Sequence, residues 1–288
     1  MPLQETSGNV TTDAYGGGAA VIPYYIEDMF STYLYTGAAA NITINNGIDL
    51  STKGGLVWIK KRSGADNHGL ADTNNGGGYV LSSNTTDALA AYNANSIPSF
   101  TTTGFNTGSN FANNNATYVS WTFRKQPKFF DIVTYTGDGT AGTVAHNLGS
   151  KPGYLIIKRT DSASNWAVAA RTADGMVALY NVGGVTAGLN STEAAFGTYA
   201  DTAFWSSTFF SPNTLDSNVN GATYVAYLFA HNAGGFGLTG TDNVISCGSY
   251  DGNSTSLGPQ VNLGYEPQWV MIKGVNEVSN WVMFDNMR

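Results

Sequence analysis

Cysteine is nearly absent from this sequence: Cys247 stands alone among 288 residues. A single thiol excludes an intrachain disulfide and a thiolate metal cage. Charge is scarce as well. Only 11% of residues are Asp, Glu, Lys or Arg, less than half of the roughly 25% usual in soluble domains. The 13 basic residues are scattered and outnumbered by 20 acidic ones, for a net charge of −7. That argues against a nucleic-acid partner, whose phosphates need clustered Lys and Arg. No stretch approaches eighteen consecutive apolar residues, so no membrane-spanning helix is expected. The opening MPLQETSGNVTT lacks the basic-then-apolar pattern of a secretory signal.

Catalytic signatures are equally thin. His68, His146 and His231 lie too far apart for a local metal motif, and no nucleophile-elbow sequence occurs. Asp72, Asp131, Asp161, Asp174 and Glu193 are isolated from one another, whereas glycoside hydrolysis needs two facing carboxylates. Gly235-Phe-Gly237-Leu-Thr-Gly240 matches a dinucleotide fingerprint in form only, because strand-like sequence follows it instead of a helix. Asp138 and Asp251 sit beside glycines in turn sequences without calcium-loop spacing, and turn formation accounts for them. The expectation is a protein with no enzymatic activity and no cofactor.

What the sequence does hold is turn and strand material. Aromatic residues make up 12% and Gly numbers 35, on a background of Asn, Thr and Ser that favours pleated strands joined by tight turns. This material repeats. TYLYTG, VTYTGDG and GSYDGNS carry Tyr35, Tyr135 and Tyr250, spaced by 100 and 115 residues. LVWIKKR, YLIIKR and WVMIK follow, placing Lys60, Lys158 and Lys273 each 23 to 25 residues beyond its tyrosine. Asn67, Asn165 and Asn280 then come seven residues after the lysine in all three copies. ATYVSWTF (116–123) and ATYVAYLF (222–229) recur 106 residues apart. Order and spacing of this kind mark a tandem array.

The spacing predicts an all-β protein of tandem β-sandwich modules with jelly-roll-like topology. Module 1 spans 31–125, module 2 spans 126–240, and an incomplete module 3 covers 241–288, whose ATYV phrase does not occur before Arg288. Half a sandwich leaves a bare sheet edge, so a continuing chain or another subunit is expected to complete it. The apolar runs LVWIK and YLIIK read as strands buried on both faces. TTDALAAY (85–92) and STEAAFGTY (191–199) carry cap residues and an early acid, which predicts one short helix per module at most. Residues 1–30 fall outside the repeat, are Gly-rich, and read either as a disordered leader or as an extended arm that docks on a partner and orders there. Trp166 and Trp281, each preceded by Asn, are candidates for an exposed platform on which a sugar ring stacks. The alternation in NWAVAA and NWVMF fits inward-facing tryptophans equally well.

The phrases KFFDIVTYTGDGTAGTVAHNLGSKPGYLIIKRTDSASNWAV and NGATYVAYLFA resemble repeat modules in tail-fibre and other virion proteins of marine bacteriophages, notably those infecting cyanobacteria. The resemblance covers about residues 31–288. It implies a virion appendage whose amino-terminal arm attaches to other virion proteins and whose subunits form homotrimers, with host-surface glycan as a further partner. A capsid-bound decoration protein and a lectin-like module array are the alternatives. The first copy departs from the pattern, with IDLSTKGG where the second has HNLGSKPG.

Overall fold

The computed structural model describes residues 23–91, 97, 99–108, 112–172, 175–182, 185–186, 205–212, 217–274 and 279–287. Copy 1 contributes β1 (Phe30–Thr36), β2 (Ile42–Asn45), β3 (Gly55–Lys61), β4 (Gly69–Asp72), β5 (Tyr79–Val80), β6 (Ala90–Ala91), β7 (Ser99–Thr101), β8 (Gly104–Thr107) and β9 (Thr117–Arg124). Copy 2 contributes β10 (Phe130–Thr136), β11 (Val144–Ala145), β12 (Tyr154–Arg159), β13 (Trp166–Thr172), β14 (Gly175–Val182), β15 (Val185–Thr186), β16 (Phe209–Phe210) and β17 (Thr223–Phe229). Copy 3 supplies β18 (Trp269–Ile272) and β19 (Val282–Asp285). The protein is all-β and built of tandem β-sandwich modules.

Topology repeats with sequence. The principal sheet of copy 1 runs β1-β9-β3-β4, and that of copy 2 runs β10-β17-β12-β13 before extending to β14 and β15. In both, the first strand pairs with the last and the second with the next to last: β2 with β8, β11 with β16. This nested pairing is the jelly-roll-like feature. Alternation decides the layers, because successive side chains of a strand point to opposite faces. Val57 and Ile59 of β3 pack with Ile44 and Phe105 of the β2–β8 pair. Leu155 and Ile157 of β12 likewise pack with Phe210 of β16.

The opposite faces meet each other. Leu56, Trp58, Trp121 and Phe123 from copy 1 share one core with Ile156, Trp166, Tyr227 and Phe229 from copy 2. Trp269, Met271, Trp281 and Met283 of copy 3 pack on the same core. The modules are therefore layered face to face about common apolar contents, an arrangement the repeat alone does not reveal.

A tyrosine corner closes each complete copy. Tyr35 stacks on Tyr118 with ring centroids 5.2 Å apart, and Tyr135 on Tyr224 at 5.1 Å. The outer hydroxyls donate to the carbonyls of Ala112 and Ser217. Tyr118 and Tyr224 accept the backbone N–H of Asn114 and Val219, each at 3.0 Å. Asn113 and Asn218 take the N–H of Ala38 and Asp138 on their side-chain oxygens. A Cβ built on Gly137 would lie 2.3 Å from the Val219 carbonyl oxygen, and one on Gly37 2.6 Å from the Asn113 carbonyl carbon. Gly137→Ala is expected to cost about 3 kcal/mol through forced backbone displacement. Gly142→Ala, whose Cβ meets only the Asp138 carboxylate at 3.9 Å, is expected to be nearly neutral. Urea midpoints of the two variants check the contrast.

The helix expected over 85–92 does not form. Instead Thr85 accepts the Trp166 indole N–H at 2.9 Å, Thr86 accepts Ser164 N–H, and Leu89 N–H donates to Thr160. Backbone groups engaged with copy 2 are unavailable to a helix, so tertiary pairing overrides local propensity. Residues 191–199 lie outside the described residues, as do 1–22 of the arm. The end of that arm is fixed: Ile26–Asp28 form a single 3₁₀ turn, Ile26 packs on the shared core, and Tyr24 accepts Gly237 N–H. No helix among the described residues is long and apolar enough to cross a membrane.

Candidate functional site

The hairpins β3–β4, β12–β13 and β18–β19 are the same element in three copies. Counting from the aligned lysines places Trp58, Ile156 and Met271 in one equivalent set, and Leu70, Val168 and Met283 in another. His68, Trp166 and Trp281 form a third. All nine residues line a single cavity of about 290 Å³. One face of each hairpin thus contributes matching positions to a common space.

The cavity is mainly apolar, with Trp58, His68, Tyr154, Trp166 and Trp281 as its aromatic walls. Trp58 donates its indole N–H to His68 Nδ1 at 3.1 Å, which assigns that ring nitrogen as the acceptor. Trp166 uses its own on Thr85, as above. Trp281 meets the Tyr154 ring edge-on at 6.2 Å, and its Nε1–H has no protein acceptor among the described residues. Asn84, another lining residue, is held by two bonds: its Oδ1 accepts His68 N–H and its Nδ2 donates to Asn67. Aromatic walls with a few fixed polar groups suit a ring-shaped, weakly polar guest.

Of the two readings of Trp166 and Trp281, exposed platform or inward-facing side chain, the burial of the side chains fits the second. Trp166 is only 2% exposed and Trp281 is half-buried. Their period-two alternation turns them toward the shared core, so they are cavity walls and present no open stacking face. The structure does bring the two together on one cavity.

Interlocks between copies are the feature that sequence reading missed. Trp121 of β9 donates to Asp285 Oδ2 of copy 3 at 3.1 Å. Tyr227 of β17 donates to Asp72 Oδ2 of copy 1 at 2.8 Å. Trp121 and Tyr227 occupy the same place in ATYVSWTF and ATYVAYLF, and Asp72 and Asp285 the same place in their hairpins. Each aspartate also accepts the N–H two residues on, from Asn74 and Met287. Aligned donors facing aligned acceptors in different copies were the available signal.

The remaining polar candidates serve as structural staples. Asp131 accepts Ile132 and Asn147 N–H and pairs with Lys125 at 3.2 Å. Asp161 forks onto Arg159, and that bond holds its carboxyl below the usual range. Asp138 accepts Thr140 N–H and the Asn218 amide, which lower its carboxyl in that order. Burial pushes the Cys247 thiol up to about 12, so it is no nucleophile at neutral pH. Burial also depresses His146 and His231. Asp174 and Glu193 fall outside the described residues. No group of three His, Cys, Asp or Glu among the described residues can hold a metal ion.

No curated protein and no solved structure matches the chain. A family model matches residues 26–288, which takes in all three copies, and the chain belongs to the family described as a domain of unknown function (DUF7483).

Proposed function

We propose that this chain is a non-enzymatic structural protein of a bacteriophage virion, a tail fibre or fibre-like appendage concerned with particle architecture and host attachment. The observation that carries the reading is the interlocked core: three copies of one β unit share apolar contents and exchange side-chain hydrogen bonds, the construction of a stiff building block. A low-charge surface rich in Asn, Thr and Gly supports contacts by hydrogen bonding with neighbouring subunits, which we take to be two further copies in a trimer. Residues 1–30 serve as the arm that attaches to other virion proteins, and repeated subunits convert weak glycan contacts into avidity.

Immunogold electron microscopy of purified particles, with antibody against residues 31–240, tests this. Gold on thin projections near the tail is expected. Gold spread over the head would replace the fibre with a decoration protein, and unlabelled particles with antigen free in the lysate would remove the virion reading. A lectin reading has its own supporting observation in the aromatic walls of the cavity. It requires sugar-dependent quenching of tryptophan fluorescence.

A further inference from the structure

Three hairpins converge on the cavity, and their contributions differ in kind. Trp58 and Leu70 of copy 1 and Ile156 and Val168 of copy 2 are buried, whereas Met271 and Met283 of copy 3 are half-buried. Two firm walls therefore face one of thioethers, which are flexible, polarisable and suited to contact with an aromatic ring. Among the described residues, no Asp, Glu, Lys or Arg lines the space. Asn84 and Asn280 are exposed and, with Ser83, gather polar groups at its mouth. Neither β9 nor β17 contributes a lining residue, so the walls need only the three hairpins and the turn at 83–84.

We propose that this cavity is a binding site for a small uncharged aromatic molecule, one or two rings carrying a single polar substituent. Size sets the first limit. A dry apolar cavity of about 150 Å³ admits benzene, so one of about 290 Å³ admits a substituted ring or a fused pair. Charge sets the second, because an ion placed among these walls loses its hydration and finds no counter-charge. Polarity sets the third. The indole N–H groups of Trp58 and Trp166 are already committed to His68 and Thr85, so a guest ringed with hydroxyls finds few partners deep in the cavity. The guest ring lies between the tryptophans and the two methionines, where edge-to-face contact is favourable. Its substituent points to the mouth, where the Asn280 amide can both donate and accept. The proposal stands on the cavity alone and is independent of the virion reading.

The test titrates p-cresol, neutral at pH 7, into the 288-residue chain labelled with ¹³C at its methionine methyls. One molecule per chain is expected to bind, with saturable shifts of the Met271 and Met283 resonances and none at Met29, which is buried away from the cavity. The anion 4-methylbenzoate is expected to bind at least about tenfold more weakly. Val168→Phe, which fills the space from copy 2, is expected to abolish the shifts. Should that variant not fold, Ile156→Trp, which copies Trp58 of copy 1, fills the same space and is expected to do likewise. Three results would overturn the proposal. The first is no saturable shift up to the solubility limit of p-cresol, and the second is undiminished binding by a folded cavity-filling variant. The third is methyl α-glucoside moving both resonances where p-cresol does not, which would give the cavity to the lectin reading instead.

Discussion

Phe123→Ala is expected to destabilise all three copies at once, by about 3–5 kcal/mol. Phe123 is buried at the meeting point of the copies. Its ring lies 4.9 Å from Phe30 of its own copy, 5.4 Å from Phe229 and 5.6 Å from Phe130 of copy 2, and 5.5 Å from Trp269 of copy 3. Truncation removes packing partners on every side, and the surrounding sheets are held by their own ladders and cannot collapse into the gap. Because the copies share contents, calorimetry is expected to show one transition that moves as a unit in the variant. Modules folded independently would give separate transitions, with only the first displaced, and that outcome would refute the shared core. A conservative Phe123→Leu is expected to recover most of the loss.

The second large effect is an alkaline collapse. Tyr35, Tyr135, Tyr154 and Tyr227 are all raised well above the ordinary phenol range, in each case by burial first. Neighbouring groups add to this, the stacked tyrosines in the corners and Asp72 beside Tyr227. A group whose folded pKa is raised contributes stability that is complete below its unfolded value and is lost as pH rises through the folded one. Above about pH 10 the unfolded chain releases protons that the folded chain must keep, at about 1.4 kcal/mol per pH unit for each group. Cys247 acts in the same direction up to its value of about 12. Lys158 acts oppositely. Burial lowers it to about 8, so the folded chain sheds this proton early and gains stability from about pH 8 until the unfolded lysine titrates.

The expected profile therefore rises slightly between pH 8 and 9 and falls steeply above pH 10. A domain of ordinary stability, about 5–15 kcal/mol, unfolds cooperatively before pH 12. Absorbance at 295 nm, followed with circular dichroism, checks this: phenolate should appear together with loss of structure. Smooth tyrosine titration near pH 10 with the sheets intact would contradict it. Lys158→Met is expected to remove the small rise and leave the collapse in place.

The sequence announced its strands clearly, because the repeated phrases carry residues that each corner needs. Tyr35 and Tyr135, Gly37 and Gly137, Asn113 and Asn218 recur because the same bonds and the same close approach recur. Burial on both faces of LVWIK and YLIIK was equally legible from unbroken apolar runs. What such runs cannot report is whose side chains lie across the gap. Leu56 and Trp58 satisfy the pattern equally well against a partner sheet of their own module or against copy 2. The segment 85–92 carried helix signals, but its carbonyls found the Trp166 indole and the Ser164 amide, contacts 81 and 78 residues away that no local window contains. For Trp166 and Trp281, alternation supported an inward orientation, and only the fold showed that both line the same cavity.

The position of each copy's last strand has a consequence during synthesis. β9 is inserted between β1 and β3, and β1 ends at Thr36 while β9 begins at Thr117. Ribosomes add roughly 5–20 residues per second, so the inner edge of β1 waits on the order of 4–16 s, and that of β3 about 3–11 s, for the strand that joins them. β10 and β12 then wait in the same way for β17. Closure over such separations is slow in its own right, and open edges are the part of a nascent β protein most prone to pair with a neighbour. The seconds before residues 117 and 223 leave the ribosome are therefore when crowded polysomes, chaperones or a translational pause have most influence on the yield of folded chain.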